Sequence, residues 1–129
     1  MTARLIDPKD IVSLPVPNYA HGALAEEAEN WLHLSGQVGV APDGTTEQGF
    51  EAQCRRAFEN VRACLRQASM DFSHVVMLRI YLTRREDLAM LRQVRGEVFG
   101  SRRFPSTLVF VSGLVDPDWL VELEAVAAR

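Results

Sequence analysis

Between Phe50 and Ala68 the residues Phe50, Cys54, Ala57, Phe58, Val61, Cys64, Leu65 and Ala68 recur at three- and four-residue spacing. Residues so spaced share one face of an α-helix, so the segment presents a continuous apolar stripe. Glu51, Arg55, Arg56, Glu59, Arg62 and Arg66 fall mostly on the other face. Such a helix must lie on something apolar. Thr45 and Thr46 offer N-caps, with Gln48 or Gly49 three residues on.

The surface it needs follows closely. His74 to Leu82 is rich in β-branched residues and nearly continuous in apolar character, which predicts a central strand covered on both faces. Arg85-Glu86-Asp87 opens a second helix reaching about Phe99, with Leu88, Leu91, Val94 or Arg95, and Val98 inward, and Gly100 ending it. Ser106–Ser112 and Trp119–Ala127 read as closing strands around a Gly113–Asp118 turn. In the last, Val121, Leu123 and Ala125 face one way and Glu122 and Glu124 the other. Upstream, Trp31–Ser35 and Val38–Val40 read as two short strands, or one bulged strand, ending in the Pro42-Asp43-Gly44 turn. Pro8, Pro15 and Pro17 mark an irregular lead-in, because proline lacks the backbone donor and fixes φ.

The order is β-β-α-β-α-β-β, an α+β unit with two helices on one face of a mixed sheet, filling residues 1–129 as a single domain. Nothing remains in the chain to cover the other face, so self-association is expected there.

Composition narrows the function classes. The net charge is −3, and Arg84-Arg85 and Arg102-Arg103 are short pairs rather than a basic stripe, which argues against nucleic acid as the partner. Cys54 and Cys64 lie on one helix, too far apart to bridge, and read as free thiols of a reducing, cytoplasmic setting. No Cys/His spacing suggests a metal. Met1–Asp10 has no apolar core for a signal peptide, and no apolar run is long enough to span a bilayer.

Several short motifs resemble the RidA/YjgF proteins, also called the endoribonuclease L-PSP family. Leu34-Ser35-Gly36-Gln37 resembles their "SGQ" signature, and Pro17-Asn18-Tyr19 their "PY" segment. Gln53 with Glu59-Asn60-Val61 is similar to the helix motif "Q…NV". Phe104-Pro105 resembles the "FPAR" loop, and Val121–Ala127 the terminal "VEIEAIA". The motifs run in order from Tyr19 to Ala127.

The resemblance implies a chorismate-mutase-like fold, a homotrimer with ligand clefts between subunits, no metal or organic cofactor, and a small-molecule metabolite as ligand. It implies hydrolysis of enamine and imine intermediates to a carbonyl product plus ammonia. The alternative is a non-catalytic metabolite-binding trimer, and the third reading, endoribonuclease or translation inhibitor, has the acidic charge balance against it.

Carried over residue by residue, Glu122 matches the glutamate that orients the hydrolytic water. Tyr19 and Ser35 match cleft-lining residues, and backbone around Leu108 matches the part that meets the substrate's amine end. A carboxylate suits the first task because it accepts a proton or holds a water. Two positions depart from the family pattern. Its deaminases carry an arginine in the "FPAR" loop that clamps the substrate carboxylate. Aligned on the downstream Val-x-Val that position is Ser106, and aligned on Phe-Pro it is Thr107. The second-helix asparagine is replaced, most simply by Arg92.

Each candidate has a plainer alternative. Glu122 and Glu124 could be strand glutamates facing solvent or an interface. Tyr19 could be packing, Ser35 could close a turn, and Ser106 and Thr107 could be ordinary strand starters. Arg92, Arg102 and Arg103 could restore a carboxylate-binding charge or serve the surface. His21 could be an acid or base near the tyrosine, whereas His33 and His74 stand alone on strand patterns.

Overall fold

The computed structural model describes residues 3–129, so the first two residues of the Met1–Asp10 segment lie outside the described residues. Two helices pack on one face of a five-stranded mixed sheet. Its strands are β3 (Trp31–His33), β4 (Gln37–Val38), β5 (Val75–Leu82), β6 (Ser106–Phe110) and β7 (Val121–Ala128). The spatial order is β3-β7-β5-β6, with β4 also on β7. β7 is antiparallel to β3, β4 and β5, and β6 is parallel to β5. The α+β class and the helix-strand order after Trp31 agree with the sequence.

The register explains the two faces. Ile80 stands beside Leu123 and Leu108, and Leu78 beside Ala125 and Ser106, on the helix side. Tyr81 stands beside Glu122 and Val109, and Arg79 beside Glu124 and Thr107, on the other. The helix α1 (Phe50–Gln67) lays Phe50, Cys54, Ala57, Phe58, Val61 and Leu65 against the first set. The helix α2 (Leu88–Phe99) adds Leu91 and Val94, both 1% exposed. Within one chain β5 is therefore covered on one face only, not both as expected: Arg79 is exposed and Tyr81 half-buried. On the same bare face Trp31 of β3 and Val109 of β6 are exposed, and that face is polar in its middle.

Other differences have local causes. The lead-in is not wholly irregular: β1 (Arg4–Ile6) pairs antiparallel with β2 (Gly22–Leu24) as a separate small sheet. The Thr45 and Thr46 caps do not form. Pro42-Asp43-Gly44 turns the chain back, Gly44 at φ +90°, so that Thr46 bridges Val40, and α1 starts after Gly49 with no side-chain cap.

The Val38–Val40 strand stops at Val38 because Gly39 packs on α1, where a Cβ would stand 2.5 Å from Gln53 Cα. The last strand begins at Val121, not Trp119. Buried Gln53 takes up the neighbouring backbone, donating from Nε2 to the Asp118 carbonyl at 3.0 Å and accepting from Leu120 N at 2.9 Å. Asn60 Nδ2 likewise donates to the carbonyls of Val38 and Val40. The "Q…N" pair of α1 thus holds loops in place rather than a ligand. The sixth strand ends at Phe110 and the third at His33, shorter than Ser112 and Ser35.

Candidate functional site

The chain from Leu14 to Tyr19 crosses the β6 edge of the sheet as a strap. Beneath it, against α2 and β6, lies a cavity of about 350 Å³. Tyr19, Arg92, Ser106 and Leu108, four residues singled out in the sequence, line it together. Strand alternation turns Ser106 and Leu108 to the helix side of β6, and helical spacing aligns Leu88, Leu91 and Arg95 opposite them.

The strap is anchored at several points. Arg103 donates from Nε to the Tyr19 carbonyl at 3.0 Å and from Nη2 to Asp7 at 2.6 Å. Asp7 also accepts from the His21 backbone N–H, and that bond, followed by the Arg103 hydrogen bond, holds its carboxyl below the usual carboxylate range. His21 Nε2 lies 3.0 Å from the Val12 carbonyl, which can only accept, so Nε2 donates there. The Tyr19 hydroxyl lies 3.2 Å from Nδ1. His21 is a fastener of the strap, and His74 closes a capping box with Asp71.

The helical spacing offers Arg95 only as an alternative to Val94 for an inward position. Its guanidinium stacks over Phe104, Cζ lying 4.9 Å from the ring centre, and Nη1 donates to Ser106 Oγ at 3.1 Å. Nη2 is buried with no hydrogen-bond partner among the described residues. Burial pulls the Arg95 pKa below the usual arginine range. Of the other cations considered, Arg102 donates to the carbonyls of Phe72 and Val75, and Arg103 is held by Tyr19 and Asp7. Arg92 stands exposed at the cavity lining.

A second group occupies the bare face of the sheet. Tyr81 donates its hydroxyl to Glu124, a bond that raises the tyrosine pKa. Next to this pair Glu122 is half-buried and packs against Gly36, where a Cβ would come within 2.6 Å of the carboxyl carbon. No side-chain hydrogen bond or ion pair among the described residues engages Glu122. The glycine of the "SGQ" segment is therefore what leaves room for this carboxylate. Ser35 is exposed beside it, and Gln37 donates back to the Ser35 carbonyl. Thr107 is exposed on this same face.

One chain thus sorts the candidates into two sets on opposite faces of the sheet. The one-residue ambiguity between Ser106 and Thr107 is a choice between those faces. Among the described residues no three His, Cys, Asp or Glu are grouped to hold a metal ion, and no helix is long and apolar enough to cross a membrane.

The sequence and fold match known proteins over most of their length. The family model described as Endoribonuclease L-PSP matches residues 11–129. A RutC family protein of Pyrococcus abyssi is 33% identical over 102 residues, covering 78% of this chain and 80% of that one. A human protein named 2-iminobutanoate/2-iminopropanoate deaminase is 26% identical over 100 residues, covering 76% of this chain and 72% of that one. The solved structure of a Rid-family protein of unknown function, YyfB from Yersinia pestis, superposes with a TM-score of 0.84 at 27% identity, covering 100% of both chains. With the fold, the "SGQ" glycine seated on the terminal-strand glutamate and the family match all in agreement, the chain belongs to the RidA/YjgF, or endoribonuclease L-PSP, family.

Proposed function

We propose that the protein hydrolyses enamine or imine intermediates of small metabolites to a carbonyl product and ammonia, at a cleft completed between copies of a homotrimer. The observation that carries this reading is Glu122, a carboxylate with no protein partner, held on a rigid central strand against Gly36. A carboxylate so placed can take a proton from water as the oxygen adds to the C=NH carbon and pass it to nitrogen, then carry the proton of the resulting hydroxyl to that nitrogen as the C–N bond breaks and C=O forms. The balance is C=N plus water to C=O plus ammonia. Ser35 and Thr107 flank that chemistry. Tyr19, Arg92, Ser106 and Leu108 receive the substrate from the adjoining copy, because in one chain they lie across the sheet from Glu122.

Trimerisation through the bare sheet face supplies the cover that Trp31 and Val109 lack, being 51% and 40% exposed. The family match and the named human relative support the chemistry.

Imines formed in situ by an amino-acid oxidase provide the test, with ammonia release as the readout. The wild-type protein is expected to accelerate release, and Glu122→Gln to lose about 10²–10⁴-fold of that acceleration. Equal rates for the two proteins would refute the role of Glu122. Saturable metabolite binding with no turnover in the wild type would replace hydrolysis with the metabolite-binding reading.

A further inference from the structure

A second cleft, of about 530 Å³, opens between the small β1–β2 sheet, the turn Phe72–His74 before β5, and the turn at residues 101–104 after α2. It shares no lining residue with the cavity under the strap. Ser101, Arg102, Arg103 and His74 line it, and among the described residues no Asp or Glu does.

The fold fixes what these side chains can offer. Arg102 is half-buried over Phe104, its Cζ 5.0 Å from the ring centre. Nη1 donates to the Phe72 carbonyl at 2.9 Å and Nη2 to the Val75 carbonyl at 2.6 Å. Both acceptors are neutral. They hold the guanidinium in place without cancelling its charge, and they leave it further N–H donors. Burial pulls the Arg102 pKa below the usual arginine range, and Asp71 offsets this only in part. His74 Nδ1 takes the Asp71 backbone N–H at 3.0 Å. A backbone N–H can only donate, so Nδ1 carries no proton and Nε2–H is the donor the ring has to give. The two carboxylates nearby are already engaged. Asp71 accepts from the backbone N–H and the hydroxyl of Ser73, and Asp7 from the His21 N–H and Arg103.

We propose that this cleft binds a phosphate group, as the free ion or as the monoester of a small metabolite. Its donors come from two separate turns of the chain. A tetrahedral oxyanion offers acceptor oxygens in several directions, whereas a carboxylate offers two in one plane. Arg102 supplies the charge, and His74, Ser101 and Arg103 supply hydrogen bonds. Leu5 and Ala23 leave an apolar side for the organic part of an ester. None of these residues takes part in the proposed hydrolysis, so the site goes beyond that reading and stands or falls apart from it.

Calorimetric titration of the full chain with inorganic phosphate, phenyl phosphate, acetate and phenol provides the test. Both phosphates are expected to bind saturably, and acetate and phenol about tenfold or more weakly. Tighter binding of phenyl phosphate assigns the site to an ester, and equal affinity to the free ion. Ser101→Asp adds a negative charge on the exposed turn and removes no bond that holds the fold. It should weaken both phosphates about tenfold, and Arg102→Gln by at least as much. Should Arg102→Gln fail to fold, Ser101→Asp and amide shifts of the wild type carry the test, phosphate perturbing Ser73, Ser101 and Arg103. Acetate bound as tightly as phosphate, unchanged phosphate affinity in Ser101→Asp or in a folded Arg102→Gln, or shifts confined to Leu91, Ser106 and Leu108 under the strap would each overturn the assignment.

Discussion

At the scale of single residues, the decisive arrangement is Arg95 with Ser106. An arginine introduced at Ser106 would set a third guanidinium against Arg95 and Arg92 and remove the hydroxyl that Arg95 uses. Ser106→Arg should therefore destabilise the protein by about 1–3 kcal/mol in denaturant midpoints, and Thr107→Arg, on the exposed side of the same strand, by less than about 0.5 kcal/mol. Equal costs would contradict the face assignment. The cysteines separate in the same way. Burial raises the Cys54 thiol to about 12, whereas Cys64 is only half-buried. Iodoacetamide at pH 8 should modify Cys64 in the native protein and reach Cys54 only on unfolding, as peptide mass mapping would show. Both thiols were readable from the helical stripe. Arg95 was not, because helical spacing says which residues face inward but not what they meet there.

At the scale of elements, α1 and the β5–β7 pairing follow from spacing alone, since 3.6-residue and two-residue periods leave one way to bury each apolar set. The boundaries that differ share a cause, which is side chains reaching across from α1. Gln53 holds Asp118 and Leu120 out of the β7 ladder, and Asn60 holds Val38 and Val40. No local signal in Trp119 or Val40 carries that information. The close fit of Gly39 on Gln53 is the sharpest test of the arrangement. Gly39→Ala would meet helix backbone at 2.5 Å and should cost about 1–3 kcal/mol or more, read as a fall in melting temperature. The β1–β2 pair escaped notice because its strands are three residues each and lie 15 residues apart, around a proline-rich strap.

At the scale of the whole molecule, one chain leaves a carboxylate on the bare face of the sheet and a cationic, apolar-walled cavity on the helix side. The family motifs named both sets of residues, Glu122 and Ser35 on one side and Tyr19, Ser106 and Leu108 on the other. They could not show that the sheet separates them, because linear order does not encode facing across β6. On the proposed function, a working site needs two copies, each contributing one set. Co-refolding Glu122→Gln with the cavity-filling Leu108→Trp tests this most directly. Each variant alone should be inactive toward in situ imines. Their random mixture should regain about a quarter of wild-type ammonia release, the share of clefts drawing the intact half from each chain. A mixture as inactive as its components, although mixed trimers are seen by native mass spectrometry, would contradict the shared cleft.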